Sequence, residues 1–159
     1  MRGIQAGRSE LFEVLYLRHR DWVAAVAFRF CRNREDALDV LQETFAYLVK
    51  RLPDLELRSR LRTFLYPAVK HLALSRKEAA RRLVPLESAP EPAAPEAPPP
   101  DELGDLLRGL PDEQREVLVL RFADGLELKE IAEALDVPLG TVKSRLHHAL
   151  ARLRARRHD

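Results

Sequence analysis

The chain has little of what most enzymes and secreted domains require. It contains a single cysteine, Cys31, so neither an internal disulfide nor a CxxC zinc pair can form. No apolar run approaches the roughly 20 residues that span a bilayer, and the N-terminal stretch lacks the apolar core of a signal peptide. It also lacks a glycine-rich phosphate loop, a nucleophile–base pair and a ligand cluster. These absences predict a cytoplasmic protein that is not an enzyme and has no membrane span, metal site or cofactor.

Charge is distributed unevenly along the 159 residues. Residues 1–82 carry 17 Lys and Arg against 10 Asp and Glu, residues 83–139 carry 4 against 14, and residues 140–159 carry 6 against 1. The net charge of +2 therefore conceals two basic segments separated by an acidic one. Such segments are typical of surfaces that bind polyanions. Nucleic acid fits this pattern better than a random solvated surface does, although composition alone does not decide it.

One segment predicts a boundary between two domains. Residues 84–102 contain seven of the eleven prolines, with Ala and Glu between them and no Lys or Arg. Proline lacks an amide donor and fixes φ, so this stretch is predicted to be an extended, flexible linker. It separates a domain at residues 1–83 from one at residues 103–159. No stretch shows sustained two-residue alternation, so we predict an all-α fold with two small helical domains.

The first domain is predicted to contain three helices. The first runs from Ser9 to about Cys31, with apolar positions at Leu11, Leu15, Trp22, Val26 and Phe30. The second opens at Glu35 or Asp36 and stops at Pro53, with an apolar stripe at Ala37, Val40, Leu41, Phe45, Leu48 and Leu52. The third runs roughly from Thr63 to Arg82. Thr63 is expected to be its N-cap, because Pro67 is tolerated only near the first turn.

The second domain is predicted to end in a helix–turn–helix. A helix in residues 127–136, with an inner face at Leu128, Ile131, Ala132 and Leu135, is followed by the turn "DVPLG". Asp136 tolerates left-handed φ. In the last helix the residues that pack inwards are Val142, Leu146, Ala149, Leu150 and Leu153.

The other side of that last helix carries Lys143, Ser144, His147 and His148. A helix that reads the DNA major groove needs such donors and acceptors in its first turns. Arginines at its flanks and C-terminal end suit phosphates better than bases. An ordinary helical hairpin with a solvated basic face is the alternative. The adjacent histidines point about 100° apart on a helix, which disfavours a metal site.

Three stretches resemble a known family. "LPDEQREVLVLRFADGLELKEIAEALDVPLGTVKSRLHHALARLR", residues 110–154, is similar to region 4 of bacterial RNA polymerase sigma factors of the extracytoplasmic-function type. "REDALDVLQETFAYLVKRL" resembles region 2 of that family, and "LRTFLYPAVKHLALSRKEAARR" resembles the last helix of region 2. The resemblance implies a promoter-specificity subunit that binds core RNA polymerase and directs initiation at minus-35/minus-10 promoters. A DNA-binding regulator that retains region 4 but cannot melt DNA is the alternative.

The resemblance also implies roles for three sets of residues. The β′ clamp helices of core polymerase are expected to bind Asp39, Gln42 and Glu43. The minus-10 element is expected to contact Arg60, Arg62, Phe64, Tyr66, Lys70, His71, Arg76 and Lys77. The minus-35 element is expected to contact Lys143, Ser144, Arg145, His147, His148 and Arg152. The β flap of polymerase and an anti-sigma factor are further expected partners.

The chain departs from the family pattern in the minus-10 region. Phe64 stands where a tryptophan is common, His71 replaces an asparagine, and Ser75 replaces an aspartate. Opening of the DNA strands needs unstacked bases to be held in pockets or on aromatic faces. Phe64 and Tyr66 are candidates for that role, and membership of the hydrophobic core is an equal alternative for both.

Overall fold

The computed structural model describes residues 2–83 and 102–156. The chain divides into two compact units, Met1–Pro95 and Glu96–Asp159. Every regular element in the described residues is helical, which confirms the all-α prediction. The predicted linker, residues 84–102, lies outside the described residues except for Glu102, and it stays a prediction.

Unit 1 begins with α1, Arg2–Cys31, which starts seven residues before the predicted Ser9. Trp22, Val23, Val26 and Ala27 of this helix are buried. Leu11, one of the apolar positions with helical spacing, is 52% exposed. Phe12 and Tyr16 face the core instead, and their rings lie 6.0 and 4.8 Å from that of Phe45. This choice of face brings two aromatic rings, rather than a leucine, against the next helix.

The second helix, α2, spans Arg34–Arg51 and is capped by Asn33. The Asn33 side chain accepts a hydrogen bond from the Asp36 N–H (3.2 Å), which satisfies one of the orphan donors of the first turn. Five of the six predicted stripe positions, Ala37, Val40, Leu41, Phe45 and Leu48, are buried, which confirms the stripe. Leu52 is half-buried and belongs to a 3₁₀ turn, Leu52–Asp54.

The third helix, α3, spans Leu61–Leu83 and contains Pro67 in its second turn. The prediction that Thr63 caps it is wrong: the N–H groups of Thr63 and Phe64 donate to the Arg60 carbonyl (3.0 and 3.3 Å), so the helix begins earlier. Leu61 and Leu65 are both buried on the face that α3 presents to the core. Burial of these side chains contributes about 1.5–3 kcal/mol each, which offsets the proline penalty of about 3 kcal/mol.

Unit 2 begins with α4, Glu102–Leu107, and α5, Asp112–Leu118. The end of α5 is continued by Val119–Ala123, which is a π-helical turn. The Asp124 N–H there donates to the Val119 carbonyl five residues earlier (3.0 Å). Within this turn Leu120 is buried and Phe122 is 66% exposed.

The helix–turn–helix consists of α6, Leu128–Leu135, and α7, Leu139–Arg156. Asp136 ends α6 with φ +52°, which confirms its predicted left-handed conformation. The inner face of α6 differs in part from the prediction, because Ile131 and Ala134 are buried whereas the other predicted positions are half-buried. Val142 and Ala149 of α7 are fully buried, and Ala149 joins a core cluster with Leu107, Leu110 and Leu118.

Candidate functional site

The N-terminal half of α7 presents the polar face that the sequence predicts. Lys143, Ser144, His147 and His148 are all exposed. Burial of Val142 and Ala149 fixes the rotation of the helix and so turns these four side chains outwards. The two histidine rings lie 5.7 Å apart in an edge-on arrangement. Among the described residues, no group of three or more His, Cys, Asp or Glu could hold a metal ion.

Two arginines of α7 are engaged inside unit 2. Arg145 is only 21% exposed, and its Nη2 lies 3.1 Å from Glu113 Oε1 on α5. Arg156 donates from Nη1 to the carbonyls of Arg108 (2.5 Å) and Leu106 (3.4 Å), at the C-terminal end of α4. Arg145 therefore already has a partner within unit 2, whereas Arg152 is exposed, and the DNA role expected of each stays a prediction.

The basic residues of α3 and its connector fall into two groups. Arg60, His71 and Lys77 are exposed. Arg62 and Lys70 are half-buried against aromatic rings of α1: the Arg62 guanidinium lies 5.3 Å from the Trp22 ring centroid, and Lys70 Nζ lies 5.9 Å from that of Phe30. These two cations help to hold α3 on α1.

The two aromatic candidates for holding an unstacked base, Phe64 and Tyr66, differ in burial. Tyr66 is 2% exposed and lies 6.4 Å from the Phe30 ring, so it belongs to the core. Phe64 is half-buried and stacked on Tyr47 of α2, with ring centroids 6.0 Å apart and planes 16° from parallel. The Arg51 guanidinium lies 5.5 Å from the Tyr47 ring. The sequence analysis did not identify Tyr47 as part of this surface. Its position beside the apolar stripe of α2 could have indicated it, because an aromatic residue there is placed at the edge of the core.

The acidic face of α2 is exposed but not isolated. Asp39, Gln42 and Glu43 all face solvent. Arg76 reaches this face from α3: Nη1 lies 2.8 Å from Asp39 Oδ2, and Nη2 lies 2.9 Å from Glu43 Oε1. Nη1 also lies 3.4 Å from Asp36 Oδ1. The hydrogen bond to Glu43 is the main cause that raises the pKa of Arg76. Arg76 is thus engaged by carboxylates of unit 1 itself, and its expected contact with the minus-10 element stays a prediction.

Comparison with known proteins identifies the family. The model of Sigma-70 region 2 matches residues 15–83, and that of Sigma-70 region 4 matches residues 101–153. The ECF RNA polymerase sigma factor ShbA of Streptomyces griseus is 32% identical, covering 84% of this chain and 82% of its own. The RNA polymerase sigma-E factor of Streptomyces coelicolor is also 32% identical, covering 90% and 84%. The chain belongs to the ECF sigma factors. SigW of Bacillus subtilis is 25% identical over the whole of this sigma factor and 95% of its own length.

Solved structures show the same fold. The sigma factor RpoE of Bartonella quintana, crystallised with the anti-sigma factor NepR, superposes with a TM-score of 0.67 at 24% identity and covers 91% of this sigma factor and 94% of RpoE. CnrH, solved with the cytosolic domain of CnrY, superposes with a TM-score of 0.65 at 25% identity. The match covers 94% of this sigma factor and 89% of CnrH.

Membership of the family gives the function. This sigma factor is a promoter-specificity subunit that binds core RNA polymerase and promoter DNA to direct initiation of transcription. Because both region 2 and region 4 match, a regulator that retains region 4 alone is not favoured. Sigma factors as a family are not catalysts. No helix in residues 2–83 and 102–156 is long and apolar enough to cross a membrane.

Proposed function

We propose that α7 reads the minus-35 element with the exposed face of its N-terminal half. The observation that carries this proposal is the common exposure of Lys143, Ser144, His147 and His148 on the second helix of a helix–turn–helix. Such helices place their first turns against base edges in the major groove. Arg152 lies one turn beyond His148 and is suited to a phosphate.

Unit 1 is assigned two contacts. Core polymerase binds the exposed face of α2 through Asp39, Gln42 and Glu43, with the β′ clamp helices as the expected counterpart. The minus-10 element contacts Arg60, Phe64, His71 and Lys77, with the Phe64–Tyr47 stack as an aromatic platform for an unstacked base. Arg62 and Lys70 support this surface from their places on the aromatic rings of α1.

The remaining assignments rest on family membership and composition. The chain acts in the cytoplasm, has no catalytic activity, and has the β flap and an anti-sigma factor as further partners. Residues 84–102 act as the linker between the domain at 1–83, which binds polymerase and the minus-10 element, and the domain at 103–159, which binds the minus-35 element. The acidic charge of this linker keeps it away from nucleic acid.

The minus-35 proposal is tested with single substitutions in the 159-residue chain assembled with core polymerase. Lys143→Ala and His148→Ala should each cost about 1–3 kcal/mol on the matched promoter and relax preference at one base pair. Arg152→Ala is the matched control, because loss of a phosphate contact weakens all sequences alike and lowers the salt slope by about 1. Footprints on promoters with single base changes measure both effects. Uniform losses in all three variants would contradict base reading by α7.

Run-off transcription tests the function itself. Core polymerase should start at a defined position only when this protein is added. Binding of promoter DNA without any specific transcript would support the non-melting regulator instead.

A further inference from the structure

Three carboxylates on α2 share one arginine of α3. Asp36, Asp39 and Glu43 lie three and four residues apart, so they follow one side of the helix. Arg76 contacts all three at distances of 2.8–3.4 Å, with Nη1 on Asp36 and Asp39 and Nη2 on Glu43. The three carboxylates that this guanidinium contacts are therefore spread over about two turns of α2, whereas Arg76 itself belongs to α3.

The contacts leave the acidic face accessible. Arg76 engages Oδ2 of Asp39 and Oε1 of Glu43, and these side chains remain 51% and 47% exposed. The contacts at 2.8 and 2.9 Å each involve one oxygen of the carboxylate. Without the arginine, three like charges along one helix face would repel each other and their side chains would sample several rotamers.

We propose that Arg76 is a positioning residue for the polymerase-binding face, holding Asp39 and Glu43 in the orientation in which a cationic side chain of polymerase meets them. This inference rests on the proposed function, since it takes Asp39 and Glu43 as polymerase contacts. It replaces the expected role of Arg76 at the minus-10 element.

Loss of Arg76 has two opposite effects on polymerase binding. Disorder of Asp39 and Glu43 weakens binding by about 2- to 10-fold for each side chain that must be ordered again. Removal of a positive charge strengthens attraction of a polymerase cation, but at a separation of roughly 8 Å in water this amounts to only about 1.4-fold at physiological ionic strength. The ordering effect is larger, so the net result is weaker binding.

The test measures the Kd of the 159-residue chain for core polymerase. Arg76→Gln should weaken binding by at least about 3-fold, since two side chains lose order and the charge effect offsets only about 1.4-fold. Arg82→Gln is the matched control, because Arg82 lies on the same helix and its ion-pair partner among residues 2–83 and 102–156 is Glu78, one turn away. Arg82→Gln removes the same charge from a more exposed side chain. It should leave Kd within about 1.5-fold of that of the unsubstituted chain. Thermal unfolding of each variant shows that the comparison is made between folded proteins.

Two further readouts separate positioning from a general structural role. Arg76→Lys should give an intermediate Kd, because a lysine ammonium is a point charge that cannot span both carboxylates as the guanidinium fork does. The loss of affinity caused by Arg76→Gln should be about 1.4-fold smaller at ~0.01 M salt than at physiological salt, because the charge effect is less screened there.

A double-mutant cycle with Asp39→Asn and Glu43→Gln completes the test. Once these acids are neutralised, Arg76→Gln should have little further effect on Kd. If the acids matter but Arg76→Gln binds as Arg82→Gln does, the positioning role is overturned and the proposed function stands. If neutralising the acids leaves Kd unchanged, the assignment of the polymerase face itself has failed.

Discussion

Gly109 offers a sharp test of how unit 2 holds α7 in place. It follows α4 with φ +88°, a left-handed conformation that side chains rarely adopt. A Cβ at this position would collide with Nη2 of Arg156, whose Nη1 donates to the carbonyls of Arg108 and Leu106. Gly109→Ala therefore strains the backbone and also displaces the arginine that connects the end of α7 to α4.

The two contributions can be estimated separately. Alanine in the left-handed region costs about 1 kcal/mol. The Arg156 hydrogen bonds add about 1 kcal/mol together, since the site is exposed and the bond to Leu106 is long at 3.4 Å. A total of about 2 kcal/mol is large for a domain of this size, whose core rarely supplies more than about 3–5 kcal/mol.

Hydrogen exchange of the whole chain, read by mass spectrometry, measures this loss in unit 2 while unit 1 serves as an internal reference. Gly125→Ala is the matched control: φ is +71° there and nothing lies within 4 Å of an added Cβ, so only the backbone cost of about 1 kcal/mol applies. Arg156→Gln should lower the stability of unit 2 by the contribution of the Arg156 hydrogen bonds, about 1 kcal/mol. The stability loss of the double variant Gly109→Ala/Arg156→Gln should be smaller than the sum of the two single losses. Equal losses for Gly109→Ala and Gly125→Ala would refute the argument.

Three further predictions concern single side chains. Burial is the main cause that lowers the pKa of His19, and Arg62 and Arg18 add to it, so the folded state binds fewer protons than the unfolded one. The stability of unit 1 should fall as pH drops below about 6.5, and denaturant titrations of His19→Gln should show a flatter profile. Burial also raises the pKa of Cys31, so iodoacetamide should alkylate it more slowly near pH 8 than a free cysteine peptide, and equal rates would contradict this. Glu130→Ala removes the acceptor of the Glu127 N–H (2.8 Å) and should cost α6 about 1 kcal/mol in exchange protection, whereas Glu130→Gln should retain most of it.

Helix existence could be predicted from the sequence because apolar periodicity reports burial directly. The stripe of α2 and the inward positions of α7 follow from spacing alone. Helix ends could not be predicted equally well, and α3 shows why. Pro67 argues locally for a start near Thr63, but the burial of Leu61 and Leu65 depends on α1 and α2 and outweighs the local preference.

The surface of the site was harder to predict than its location. Apolar periodicity predicts which residues of a helix face solvent. It does not predict which side chains of another helix form ion pairs with them. Arg76 pairs with residues 33 to 40 positions earlier in the chain, and Arg145 pairs with Glu113 on α5. Family resemblance gave these arginines and the acids of α2 separate partners, whereas the fold pairs Arg76 with the acids themselves.

Ion pairs and hydrogen bonds that arginines make within unit 2 should reduce the dependence of DNA binding on salt concentration. Residues 140–159 carry six Lys and Arg, and each phosphate contact contributes about −0.9 to the slope of log K against log salt concentration. Arg145 and Arg156 already have partners in unit 2, so they should contribute little to that slope. Arg152→Gln should therefore make the slope shallower by about 0.9, and Arg145→Gln should leave it almost unchanged. Equal changes in the two variants would mean that DNA takes Arg145 away from Glu113 when the promoter binds.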